Sequence, residues 1–141
     1  PYTTLFRSQG ENVVDMLVSG GQVPAAGNGA TVARWTTGST DLLSDHLYNN
    51  VPGYSLKTES QGWGWSGPYL GSEPGSDPWG NRYMVNIRFL EPGGGAVGED
   101  GEVKSAVYVL SAGPNGVVET EFEQPITNRS VEGDDITYML Q

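Results

Sequence analysis

Arg82-Tyr83-Met84-Val85-Asn86-Ile87-Arg88-Phe89-Leu90 is the stretch whose pattern decides the fold class. Tyr83, Val85, Ile87 and Phe89 fall on one side of an extended chain, and Arg82, Asn86 and Arg88 on the other. That period of two predicts a strand with one buried face. Downstream, residues 103–110 predict a second strand, with Val103, Val107 and Val109 on one face, and residues 136–140 a short third. An acidic, Gly-rich hairpin loop over 91–102 and a long connection over 111–133 join them. Upstream, Val13, Val14, Leu17 and Val18 are spaced i, i+1, i+4, i+5, one face of a helix over 11–18 that Gly20-Gly21 ends. They read as the last turns of a longer helix truncated upstream. Residues 20–38 have no period and read as loop, while Ser39 or Thr40 caps a second short helix over 41–49, where Leu43 and Leu47 stack. A helix followed by a short antiparallel meander with long loops is an α+β domain.

The 141 residues suffice for one domain. Leu, Ile, Val and Phe make up about a fifth of the chain, a modest core, and the 21 Gly and 9 Pro fall mostly between the apolar runs. With no cysteine, disulfides, zinc-thiolate sites and thiol nucleophiles are excluded. Seven basic against 17 acidic residues give a net charge of −10, which argues against a nucleic-acid partner, since phosphate is bound through Lys and Arg. The opening Pro1-Tyr2-Thr3-Thr4-Leu5-Phe6-Arg7-Ser8 reads as a sequencing adapter translated in one frame, so residues 9–141 carry the natural domain. A signal or membrane segment would then precede residue 9.

Catalytic constellations are weak. Gly93-x-Gly95-x-x-Gly98 has dinucleotide spacing, but Glu99-Asp100-Gly101-Glu102 follows where a helix N-terminus would have to stand. The single histidine, His46, adjoins Asp45, and neighbours along a helix do not face each other. The expectation is a protein that is not an enzyme. The aromatics Tyr54, Trp63, Trp65, Tyr69 and Trp79 suit either core covering or a sugar-stacking platform, with Trp79 the first choice for core because a turn sequence directs it. A more pointed constellation is Ser111-Ala112-Gly113-Pro114-Asn115-Gly116 with Gly133-Asp134-Asp135-Ile136. Two adjacent carboxylates repel unless solvent or a cation offsets them, and Asn, Asp and loop carbonyl oxygens are the ligands Ca²⁺ prefers. The pair is either a solvated turn or one half of a cation clip across the 111–135 loop, a segment expected to have almost no core of its own.

Gly67-Pro68-Tyr69-Leu70, Asp77-Pro78-Trp79-Gly80-Asn81-Arg82-Tyr83, Val107-Tyr108-Val109-Leu110-Ser111-Ala112-Gly113-Pro114-Asn115-Gly116 and Gly133-Asp134-Asp135-Ile136-Thr137-Tyr138 stand in this order. In motif and order, residues 66–138 resemble the major pseudopilin of type II secretion systems. The resemblance implies a pilin-like fold, in which a long N-terminal helix, membrane-embedded in its first half, leads into a small antiparallel sheet. It implies a single-pass protein of the bacterial inner membrane with its head in the periplasm, processed and methylated at its N-terminus. It would self-associate into a helical filament with other pseudopilins and secretion-machinery components. It also implies Ca²⁺ in the C-terminal loop, held by Asp134 and Asp135, by Asn115 where the family has Asp, and by backbone carbonyls including that of Leu110. Asn115 keeps an oxygen but loses a charge, which weakens binding, and Glu119, Glu121 and Glu123 are candidate substitutes. From another functional class, the alternative is a calcium-dependent carbohydrate-binding or adhesion module using Trp63, Trp65 and Tyr69.

Overall fold

A computed structural model describes residues 14–51, 53, 56, 58, 66–90 and 105–140. It is mixed α+β, with seven short strands and two short helices among these residues: β1 Met16–Val18, β2 Ala25–Ala26, α1 Arg34–Thr37, β3 Thr40–Leu42, α2 Leu43–Leu47, β4 Met84–Val85, β5 Tyr108–Ser111, β6 Val117–Val118 and β7 Ile136–Met139. Five strands form one sheet in the order β3-β1-β4-β5-β7. Only β1 and β3 run parallel in it, with Leu17 opposite Asp41. The expected meander is present as β4-β5-β7, with Met84 opposite Leu110 and Leu110 opposite Thr137. A separate parallel pair, β2 and β6, joins Ala25–Ala26 to Val117–Val118.

The helix expected over 11–18 is corrected where it is described: Met16–Val18 is a strand, paired on both sides by β3 and β4. All three residues are buried, because a strand in mid-sheet covered on both faces reads as a continuous apolar run rather than an alternating one. Likewise the second helix is confined to Leu43–Leu47, since Thr40–Leu42 extends to pair with β1; no side chain caps it, so Ser39 and Thr40 do not act as its cap. Residues 20–38, expected as loop, hold β2 and α1.

The expected strand over 82–90 is strand only at Met84–Val85, and Ile87–Leu90 turn into a 3₁₀ helix. Asn86, placed on the polar face by its spacing, is wholly buried. Its amide stands in for a missing strand partner: Nδ2 donates to Ala106 O and Phe122 O, each at 2.9 Å, and Oδ1 accepts from Tyr108 N at 2.9 Å. Ile87 and Phe89 are buried as expected, and Arg88 reaches Asp15 at 2.7 Å.

The core centres on Trp35, which α1 inserts under the sheet. Its ring meets Phe122 edge-on at 4.8 Å and Tyr108 at 5.6 Å, and Phe89 meets Phe122 at 5.4 Å. The 111–135 segment is therefore not without core. Val118, Thr120, Phe122 and Gln124 are all buried, every second residue of an extended chain, while the glutamates between them face outward or sideways. Trp79, first choice for core, is instead 45% exposed, and Tyr69 is 48% exposed. Asp77 holds the backbone of the Trp79 turn, accepting from the Trp79 and Asn81 amides at 3.0 and 2.9 Å, but the indole lies outside it. Tyr54, Trp63, Trp65, the 91–102 loop with Gly93, Gly95 and Gly98, and residues 1–8 lie outside the described residues. Among the described residues no helix is long and apolar enough to cross a membrane.

Two carboxylates brace this core from outside. Burial pushes the Asp15 carboxyl up, but the Arg88 hydrogen bond, the Ser39 amide and the charges of Arg34 and Arg88 outweigh it and hold the group below its ordinary 3.8. Glu121 is held below 4.5 chiefly by the Thr31 hydroxyl, against some burial, with help from the Thr31 and Ala30 amides. Both groups have folded values below their unfolded ones. The stability they contribute is present above the unfolded values and disappears as the pH falls through the folded ones. The melting temperature should be flat near neutrality and fall below about pH 4, and Asp15→Asn should flatten that fall. An unchanged acid limb in Asp15→Asn would refute the assignment.

Candidate metal centre

The two ends of the 111–135 segment meet. Gly113, at φ +69°, lies so close to the Asp134 carbonyl that a Cβ on it would collide with that oxygen. Gly133, at φ +57°, is covered by the Glu119 carboxylate in the same way. Both glycines have left-handed backbone that disfavours a side chain, and at Gly113 the Asp134 main chain also closes the space, whereas at Gly133 it is the movable end of Glu119 that fills it. Ser111 leaves β5 with its hydroxyl donating to Asp77 Oδ2 at 2.7 Å, so the Asp77–Asn81 turn is fastened to this corner.

Among the four residues expected to hold a cation, Asp135 is buried, 7% exposed, with Oδ2 accepting from the Glu119 and Thr120 amides at 2.8 and 2.6 Å. Its Oδ1 is buried without a hydrogen-bond partner. An orphaned carboxylate oxygen is costly in a protein interior, so Oδ1 calls for a partner, and a hard cation is one that a carboxylate oxygen accepts. Asp134 is exposed, and its carbonyl is the oxygen that packs on Gly113. Asn115 is exposed in the turn, with its Oδ1 accepting from Val117 N at 3.0 Å, the local bond of an Asx turn. Leu110 is buried in mid-sheet. Leu140 N donates to Val107 O, so in the β5–β7 ladder residues 107, 109 and 111 exchange hydrogen bonds with β7. The alternation then turns the Leu110 main chain toward Met84 on β4, away from the loop.

The structure thus brings Asp134 and Asp135 to the corner and leaves Asn115 occupied and Leu110 turned aside. It also separates Glu119 from Glu121. Glu121 is engaged elsewhere, with Oε1 accepting from Ala30 N at 2.9 Å and Oε2 from Thr31 N at 2.7 Å. Glu119 stays at the corner, its Oε2 at 3.5 Å from Asn115 Nδ2. Among the described residues no three His, Cys, Asp or Glu side chains are grouped closely enough to hold a metal by themselves, so main-chain oxygens and water would have to complete any shell. A role missed in the sequence is that of Glu121 as the partner of the Ala30-Thr31 turn; an acid between two buried residues of an extended run was its only signal. Comparison with known proteins finds no family model, no curated protein and no solved structure that matches this chain.

Proposed function

We propose that this chain is the head of a pseudopilin-like subunit, structural rather than catalytic, facing the bacterial periplasm and assembling with copies of itself and other secretion-machinery components into an inner-membrane-rooted filament. The pilin-like membrane helix that this reading requires would lie N-terminal to Met16. The observation that carries the proposal is the meeting of motif segments distant in sequence. Asp77 of the Asp-Pro-Trp-Gly-Asn turn bonds Ser111, which opens the Ser-Ala-Gly-Pro turn, and Gly113 of that turn packs on Asp134.

In this reading Asp135 and its neighbours at the corner hold Ca²⁺, which supplies positive charge to oxygens that otherwise repel. The ion would bind only the folded corner and so stabilise it, by about 2.7 kcal/mol at one hundred times its dissociation constant. A second reading, a calcium-dependent carbohydrate-binding module, is favoured by the exposed rings of Trp79 and Tyr69. One experiment separates them. Calcium should raise the melting temperature, and Asp134→Ala with Asp135→Ala should abolish the rise, while neutral oligosaccharides leave tryptophan fluorescence unchanged. Quenching by oligosaccharide would favour the second reading. No calcium shift in the unmutated protein would remove the ion from both. The upstream coding sequence provides the other arm: an apolar run of about 20 residues after a basic leader supports the filament.

A further inference from the structure

We propose that Glu119, not Asn115, is the side chain that joins Asp135 in holding a hard divalent cation at the corner where the 111–135 segment closes. The inference rests on the calcium reading above and assigns the ligands of that same site. Three observations converge on Glu119. Its amide already donates to Asp135 Oδ2, so the Glu119 main chain is fixed against the Asp135 carboxylate. Its carboxylate is folded back over Gly133, into space that any Cβ would fill. Its Oε2 has only a long 3.5 Å contact, from Asn115 Nδ2. The Asp135 Oδ1 is the independent sign of a missing partner, since it is unpaired in a residue only 7% exposed.

Charge makes the case stronger. Among the described residues the ion pairs are Arg34 and Arg88 with Asp15, and His46 with Asp41; none reaches Glu119 or Asp135. With no basic side chain on either, a shared cation is what would neutralise the two charges. Asn115 is the weaker candidate: its oxygen already accepts from Val117 N, and its amide nitrogen is the atom turned toward Glu119. Glu119 Oε2, Asp135 Oδ1 and the Asp134 carbonyl give two charged oxygens and one neutral one, with water for the rest, a shell of the kind Ca²⁺ accepts.

The test is calcium titration by calorimetry of the unmutated protein, Glu119→Gln and Asn115→Ala, with the melting temperature of each in chelator as a check on folding. Glu119→Gln should weaken calcium binding about tenfold or more, because it removes a charged ligand while keeping the side chain's shape. Asn115→Ala should stay within about twofold of the unmutated protein. Should Glu119→Gln fail to fold, the side-chain carboxyl ¹³C resonance of Glu119 in the unmutated protein, followed through the titration, gives the same answer. A shift that saturates with binding supports the assignment. Calcium binding with Glu119 unmoved, or with affinity lost in Asn115→Ala and kept in Glu119→Gln, overturns it and leaves the calcium reading intact. No binding by the unmutated protein overturns both.

Discussion

Trp35→Ala should destabilise the protein by about 3–5 kcal/mol, the usual cost of emptying a large aromatic site in a core. The indole is wholly buried, touches the rings of Phe122 and Tyr108, and donates from Nε1 to Thr120 O at 3.0 Å. Removing it leaves a cavity between α1, β5 and the 118–124 run and orphans a buried carbonyl. For a domain of this size the melting temperature should drop by more than about 10 °C. Trp35→Phe, which keeps a ring but loses the donor, should cost much less, about 1–3 kcal/mol for the unpaired carbonyl plus a small void. Thermal or denaturant unfolding reads both, and a Trp35→Ala loss below about 1 kcal/mol would mean that the aromatic cluster is not where the stability resides.

The second large effect is at Asn86. Asn86→Leu keeps the branched outline of the side chain but leaves Tyr108 N–H and the Ala106 and Phe122 carbonyls buried without their partner. At about 1–3 kcal/mol for each unmet group, a loss of at least about 3 kcal/mol is expected. Asn86→Asp is the sharper variant, because a carboxylate keeps the acceptor and aims negative charge at two carbonyls. A proton restores one donor, so the folded form raises the pKa of this new group. Its stability deficit should be small below the unfolded carboxylate range and grow as the pH rises through the raised folded value. Equal deficits at about pH 4 and about pH 8 would show that Asn86 does not serve as the donor between those strands.

Asn86 also shows why the alternation over 82–90 holds only in part. Period two correctly marked Ile87 and Phe89 as buried, although in the 3₁₀ turn that they occupy residues two apart no longer share a side, so packing around the turn rather than alternation buries both. It misplaced Asn86, since a polar residue in an alternating pattern defaults to solvent unless the main-chain groups it will satisfy are known, and those lie 20 and 36 residues away. Met16–Val18 failed for a related reason. Three buried residues in a row fit a helix face and a doubly covered strand equally well, and β3 and β4 on either side decide between them. The 118–124 run carries its own signal in the sequence. Val118, Thr120, Phe122 and Gln124 alternate with Glu119, Glu121 and Glu123, a strand-like pattern hidden by the chain's general acidity. Trp79 shows the reverse: Asp77 directs the backbone of its turn as the residues promised, but which way a ring points out of a turn depends on what lies beneath it.

What the chain carries in its order alone is the class of the domain, the β4-β5-β7 meander and the Asp77–Asn81 turn. Those depend on patterns within a few residues: alternation, β-branching and an Asp that reaches its own neighbours' amides. Which acids share a corner is a different kind of fact. Glu119 and Glu121 are two positions apart and chemically identical, yet one closes on Gly133 beside Asp135 and the other on Thr31. Adjacent odd positions of an extended run can be sent to different neighbours only by the packing around them, so that choice belongs to the tertiary structure.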